Sequence, residues 1–347
     1  MSETRETASQ TAGDAPKPAA PAPKRVVVVT HGHCFDGICS AVMFTRLLRH
    51  VHAGQKLEFT YHAAGYGPGQ NGVDPKLLVG DTNAILDFRY SSSPALTWYF
   101  DHHVSAFPSE ADRASYEGHA HEPAASRRMF HDGAYGSCTK LIADIGAAQF
   151  GLDPGPMRDL VRWADLIDTA SFPNAEMAVL RREPELQLMT VVENLGDDAF
   201  LARNVPRLLA QPLGDVARAL DVQEAFGPMQ RSGELFVELV REHAKEEGGV
   251  VLVDLTGQTL EAAGKFVTYS LYPKSAYSVL VTRSASKCKI SIGYNPWSPT
   301  PRTHNIAAIC ERHGGGGHAV VGAISLPADR AEDAVRIAKD IAIELRG

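Results

Sequence analysis

Apolar positions recur along this chain with two different periods. Val26 to Val29 is an unbroken β-branched run, the pattern of a strand covered on both faces within a parallel sheet. Gly37 to Arg49 then puts Ala41, Phe44, Leu47 and Leu48 on one side of a predicted helix. Glu58 to His62, Asn83 to Asp87 and Leu96 to Phe100 predict three more strands, and Ser137 to Ile145 and Met157 to Ile167 two more helices. Strands alternating with helices imply a doubly wound parallel sheet. From about Asn174 to Lys245 the strand pattern stops and apolar residues keep helical spacing, as in Leu201, Val205, Leu208 and Leu209. Strand character returns at Gly249 to Leu255, Ser278 to Thr282 and Cys288 to Tyr294. A helix over Ile306 to Arg312 meets a glycine run, the strand AVVGAISL follows, and an amphipathic helix with Asp329 as its expected N-cap runs to Leu345. The expected fold class is α/β: a doubly wound parallel-sheet lobe over 25–173, a helical connector over 174–247 and a smaller α/β C-terminal lobe over 248–347.

Composition narrows the function classes. With 347 residues and 44% hydrophobic content the chain can bury a core in each of two lobes. Its 34 Lys and Arg against 41 Asp and Glu give a net charge of −7, which leaves no basic track for long duplex nucleic acid. The five cysteines form no C-x-x-C pair, and their odd number argues for reduced thiols in a cytoplasmic protein. Residues 1–24 are rich in Ala, Pro, Thr and Ser and hold no apolar core. They are expected to be a disordered extension rather than a signal peptide or membrane span.

Ligand-type side chains gather where the apolar runs end. His31, His33 and Asp36 follow the first strand, Asp87 ends the third, and Asp101, His102 and His103 follow the fourth. Open α/β sheets place their chemistry at such carboxyl ends. Carboxylates and imidazoles suit Mn²⁺ and similar ions, with Mg²⁺, Co²⁺ and Zn²⁺ as alternatives. A pair of such ions bridged by one carboxylate activates a water for in-line attack on phosphorus. Asp87 is the bridging candidate. His33 and Cys34 are open alternatives as ligands, a thiolate favouring Zn²⁺, while a small packed residue is the preferred reading of Cys34.

The ordered motifs HGHCFDG, AILDFRYSS, TWYFDHHVSAF, VRWADLIDTASF and ERHGGGGHAVVGA resemble those of the DHH phosphoesterase superfamily. Over 25–173 the resemblance is to the DHH catalytic domain, and over 248–347 to the DHH-associated substrate-binding domain. It implies metal ligation by His31, Asp36 and Asp87, with Asp101 and His102 as ligand or ligand support. His103 is implied to contact the scissile phosphate, and His103, Asp87 and Asp101 form the expected catalytic set. In ADLID the Ala-Asp pair points to Asp165 as a further ligand, with Asp168 as the alternative. Gly314, Gly315, Gly316, Gly317 and His318, with Arg302 nearby, match a substrate loop. The first motif departs from the usual Asp-x-Asp by keeping only Asp36, with Cys34 two positions before it. The implied activity is metal-dependent hydrolysis of short oligonucleotides or small nucleotide phosphodiesters, in a monomer or homodimer. An exopolyphosphatase- or pyrophosphatase-like hydrolase and a non-catalytic nucleotide-binding regulator are the alternatives.

Overall fold

The structure is a computed structural model that describes residues 22–66, 72–120, 122–123, 126–260, 264 and 266–347. The first lobe runs β1 (Lys24–His31), α1 (Phe35–Val51), β2 (Leu57–Ala64), β3 (Thr82–Leu86), β4 (Trp98–Asp101), α2 (Glu110–Ala120), β5 (Met129–His131), α3 (Cys138–Phe150) and α4 (Arg158–Asp168). The expected extension is largely outside the described residues, and β1 begins at Lys24, inside its last position. All strand pairings in this lobe are parallel, in the order β2-β1-β3-β4-β5. The unbroken valine run is explained by cover on both faces. Val26 and Val28 join a core with α1, α3 and α4, while Val27 and Val29 join another with Ile85, Phe88, Tyr90 and Tyr99. The edge strand β5 and helix α2 were not legible as pattern, because MFH is too short to show alternation.

The connector is helical as expected: α5 (Ala175–Leu180), α6 (Pro184–Leu195), α7 (Asp198–Ala210), α8 (Leu213–Ala217) and α9 (Leu220–His243). The second lobe follows with β6 (Ala244–Glu247), β7 (Val250–Thr259), α10 (Val267–Leu271), β8 (Tyr277–Arg283), β9 (Lys287–Tyr294), α11 (Ile306–Arg312), β10 (Gly316–His318), β11 (Val321–Pro327) and α12 (Ala331–Glu344). Its sheet has the order β10-β11-β9-β8-β7-β6 and is mixed, only β7 and β8 being parallel. One face packs on α11 and α12 through Ile309, Ala338 and Ile341, the other on α9 and α10 through Val240 and Val267. The N-cap position of α12 is Arg330 rather than Asp329, and no side chain caps that end.

The lobes meet at an aromatic joint close to the end of α4. Phe172, Phe266 and Trp297 form two successive edge-to-face pairs, and the Trp297 indole Nε1 donates to the Phe172 carbonyl at 2.8 Å. Such pairs contribute about 0.5–1.5 kcal/mol each beyond the area they bury.

Candidate active site

In the order β2-β1-β3-β4-β5 the chain leaves β1 toward one edge and resumes at β3 on its other side. The ends of β1 and β3 are therefore the topological switch point, where open α/β sheets bind ligands. His31 closes β1, Asp87 directly follows β3, and Asp101 closes β4. Asp36 arrives from the first turn of α1. Gly37 permits that approach, since a Cβ there would collide with the His31 carbonyl, and the Thr30 hydroxyl donates to the Gly37 carbonyl at 2.7 Å.

Asp87 is the pivot of the cluster. Its backbone sits at φ 54°, a left-handed conformation that costs a non-glycine residue on the order of 1–3 kcal/mol. Both of its carboxylate oxygens are buried with no hydrogen-bond partner, and so are Nδ1 of His31 and Nε2 of His102. His31 Nδ1 lies 3.7 Å from Asp87 Oδ2. His102 Nε2 lies 3.5 Å from Asp87 Oδ1, 3.8 Å from Asp36 Oδ2 and 3.3 Å from Asp168 Oδ2. These separations are long for hydrogen bonds. They suit donors around a shared cation, whose ligand atoms stand roughly 3 Å apart when each bond is near 2.1 Å. Three carboxylates converging on one imidazole nitrogen, in a site that leaves Asp87 unpartnered, fit a divalent metal better than a self-contained polar network.

The charges respond accordingly. Burial works to raise Asp87, but the imidazoles of His102, His31 and His103 outweigh it and hold the carboxyl at about 2. Burial works to lower His102, but Asp87, Asp36 and Asp168 push it up to about 9. Burial, then the Asp87 charge, raises Asp168 to about 6. Asp36 is pushed upward by burial and by Asp87 and Asp168, although its oxygens accept the N–H groups of Cys138 and Thr139 at 2.7 and 3.0 Å.

The two imidazoles of the triplet are held differently. His102 Nδ1 lies 3.1 Å from the Tyr135 carbonyl, while His103 Nδ1 lies 2.7 Å from Asp101 Oδ1. Asp101 also accepts from the backbone N–H groups of His102 and His103 and from the Tyr99 hydroxyl. Asp101 is thereby committed to orienting His103, and of its two expected roles the geometry favours ligand support. His131 reaches the carbonyl of His103 through Nε2 at 2.8 Å and braces the same turn.

Several expected residues fall elsewhere. Asp165 is the sequence preference in ADLID, yet the structure brings Asp168 to His102, while Asp165 accepts from the Ser137 hydroxyl at 3.3 Å. The two are one helical turn apart, but only the last residue of α4 reaches the sheet end. His33 is exposed, at φ 54°, with its backbone N–H donating to the Gly196 carbonyl at 3.0 Å, and it falls in none of the clusters of possible ligands among the described residues. Cys34 joins the cluster: one atom each of His31, Cys34 and Asp87 lie within 4.8 Å of one another. Arg302 is exposed and donates to the His304 carbonyl at 2.6 Å. Gly316, Gly317 and His318 form the edge strand β10, with Gly314 at φ 74° and Gly317 at φ 155°. A Cβ on Gly315 or Gly317 would collide with the β11 backbone, whereas one on Gly316 would meet open space.

Tyr66 is a site neighbour that the sequence pattern missed. It stands edge-on to His31 at 5.3 Å, packs on Phe88 at 4.7 Å, and has the Arg89 guanidinium 5.1 Å from its ring centroid. Its side chain remains 48% exposed. Burial, then Asp101, raises its phenol to about 12, so at neutral pH it is a hydrogen-bond donor. Its place two residues past β2, on the same sheet end as His31, is the signal that could have found it.

No protein-family model matches the chain, and no curated protein is detectably similar to it in sequence. Among solved structures, this two-lobed α/β fold is shared with metal-bound RecJ. Against RecJ from Thermus thermophilus in complex with Mn²⁺ the TM-score is 0.52 at 13% identity, covering 92% of this chain and 52% of RecJ. The chain thus spans about half of RecJ. It is also similar to the pGpG-specific phosphodiesterase PggH from Vibrio cholerae, with a TM-score of 0.63 and 20% identity over 93% of this chain and 98% of that one. Among the described residues no helix is long and apolar enough to cross a membrane.

Proposed function

We propose that this chain is a DHH-superfamily phosphodiesterase, a metal-dependent phosphohydrolase acting on short oligonucleotides or small nucleotide phosphodiesters. The observation that carries this reading is the buried, unpartnered Asp87 carboxylate at the switch point, flanked by His31, His102 and His103. Two divalent cations fit the donors, Mn²⁺ being the first choice. His31 and Asp87 would hold one; Asp36, Asp87, His102 and Asp168 would hold the other, with Asp87 as the bridge. Such ions supply Lewis acidity that lowers the pKa of the attacking water and offsets phosphoryl charge.

The chain's own residues do the positioning. Asp101 fixes His103 through Nδ1 and, as the main cause, raises its pKa, so the half-exposed ring keeps protons to donate to a phosphoryl oxygen as charge develops. The Tyr66 hydroxyl is a second donor at the rim. The open side of Gly316 supports a role for the glycine loop in receiving the remainder of the substrate, and the net charge of −7 supports short substrates over long strands. All five cysteines are free, which supports a cytoplasmic setting.

The test is hydrolysis of a panel holding pGpG and other 5′-phosphorylated dinucleotides, a long single strand and polyphosphate, with Mn²⁺ and with chelator. Chelator-sensitive turnover that is fastest on dinucleotides is expected. Preference for polyphosphate would favour the exopolyphosphatase-like alternative, and tight dinucleotide binding without turnover the regulatory one.

A further inference from the structure

The first motif holds an exchange of one ligand type for another. Where the superfamily pattern commonly reads Asp-x-Asp, this chain reads Cys34-Phe35-Asp36. Cys34 occupies the N-cap position of α1, with extended backbone at φ −127° and ψ 132°, and no side chain caps that end. Cys34 is half-buried, and its packing leaves Sγ among ligand-type groups. Sγ of Cys34, a ring nitrogen of His31 and a carboxylate oxygen of Asp87 all lie within 4.8 Å of one another. Two of these partners bring independent evidence of a missing neighbour. His31 Nδ1 and both oxygens of Asp87 are buried without hydrogen-bond partners, and Asp87 is only 1% exposed.

We propose that Cys34 is a thiolate ligand of the metal position built by His31 and Asp87, making that position a mixed sulfur, nitrogen and oxygen site. The proposal rests on the two-cation reading of the site and sharpens it. The second position, at Asp36, Asp87, His102 and Asp168, offers only oxygen and nitrogen and suits Mn²⁺ or Mg²⁺. The Cys34 position is softer and selects Zn²⁺ or Co²⁺ over Mg²⁺, because thiolate binds these borderline ions strongly and hard Mg²⁺ poorly. The two positions consequently differ in metal preference, and a mixed-metal centre is the loaded state. Cys39 and Cys138 are completely buried nearby, yet neither falls in a cluster of possible ligands with His31 and Asp87.

Cobalt makes the thiolate visible. Metal-free full-length protein titrated with Co²⁺ is expected to develop a near-ultraviolet thiolate-to-cobalt charge-transfer band. Bound metal is counted in parallel by elemental analysis. Cys34→Ser should lose the band and one metal equivalent. Cys34→Asp should restore that equivalent without the band and shift the preference of the position toward Mn²⁺. A second measurement needs no variant: bound Zn²⁺ should protect Cys34 from alkylation, read by peptide mass spectrometry, and chelator should restore its reactivity. Full cobalt loading without the band, a band that survives in Cys34→Ser, or alkylation of Cys34 unaffected by Zn²⁺ would each overturn the proposal. The outcome is separable from the activity. Chelator-sensitive hydrolysis without the band removes the thiolate and leaves the phosphodiesterase standing, whereas the band without hydrolysis of any panel substrate does the reverse.

Discussion

His102 Nδ1 and the Tyr135 carbonyl stand 3.1 Å apart, and because a carbonyl only accepts, the ring proton sits on Nδ1. Nε2 is then the atom turned to Asp36, Asp87 and Asp168, and it offers a cation its lone pair once its own proton is released. His103 is held the opposite way round in function, its Nδ1 tied to Asp101 and its ring half-exposed. His102→Ala should therefore lower metal occupancy, measured after gel filtration. His103→Ala should retain metal and lose on the order of 10²–10³ in kcat, the cost of a transition-state donor. Equal loss of metal in both variants would contradict the assignment.

Metal affinity should depend on pH with a definite sign. In the metal-free protein His102 is raised to about 9 by its carboxylates, so it is protonated at neutral pH and must release that proton to coordinate. Affinity should rise at least about tenfold per pH unit from about 6 toward 9, as the His102 proton is removed, and more steeply wherever the upward-shifted Asp36 also gives one up. Below about 6 another proton, on Asp168, should steepen the dependence, because that carboxyl is neutral below its raised pKa. Titration calorimetry in buffers of different ionisation enthalpy would count the protons. No proton release at pH 7 would contradict the picture.

The two carboxylates of ADLID separate ligand from scaffold. Asp168→Asn should lower metal occupancy with little change in melting temperature. Asp165→Asn removes a charge that accepts from Ser137, the N-cap of α3. It should cost about 1 kcal/mol of stability and leave metal binding intact. Reversal of the two phenotypes would restore the preference taken from the sequence.

How far the site was legible follows from such pairs. The strand ends were readable because the apolar runs of β1, β3 and β4 stop at His31, Asp87 and Asp101, and a doubly wound sheet brings such ends together. The choice between Asp165 and Asp168 was not, since both sit at helical spacing and only the docking angle of α4 decides which one reaches the sheet. Tyr66 was missed for a related reason. A tyrosine does not announce a donor alone, and its place at the site comes from contacts with His31 and Phe88 at the ends of β1 and β3. The support beneath the ligands is mostly backbone, the Tyr135 carbonyl and the N–H groups of Cys138 and Thr139, which no side-chain motif records.

Within the glycine loop the substitutions should divide by direction. Gly315→Ala forces a Cβ into the β11 backbone and should destabilise the second lobe. A bulky residue at Gly316 enters open space, so the fold should persist. Its KM for dinucleotides should rise, while hydrolysis of bis-p-nitrophenyl phosphate stays close to wild type. Equal loss on both substrates would show that the loop does not receive the part of the substrate beyond the scissile group.

The account stands or falls on Asp87 as the bridge between two cations. Asn keeps the shape and tolerates the φ of 54°, so Asp87→Asn removes the charge and leaves the turn. The decisive measurement is elemental analysis of wild type and Asp87→Asn after saturation with Mn²⁺ and Zn²⁺ together and removal of free metal. About two ions per wild-type chain and at most one per variant chain are predicted, as expected when the shared carboxylate of a two-metal site is lost. The same metal content in both proteins, or none in the wild type, would contradict it.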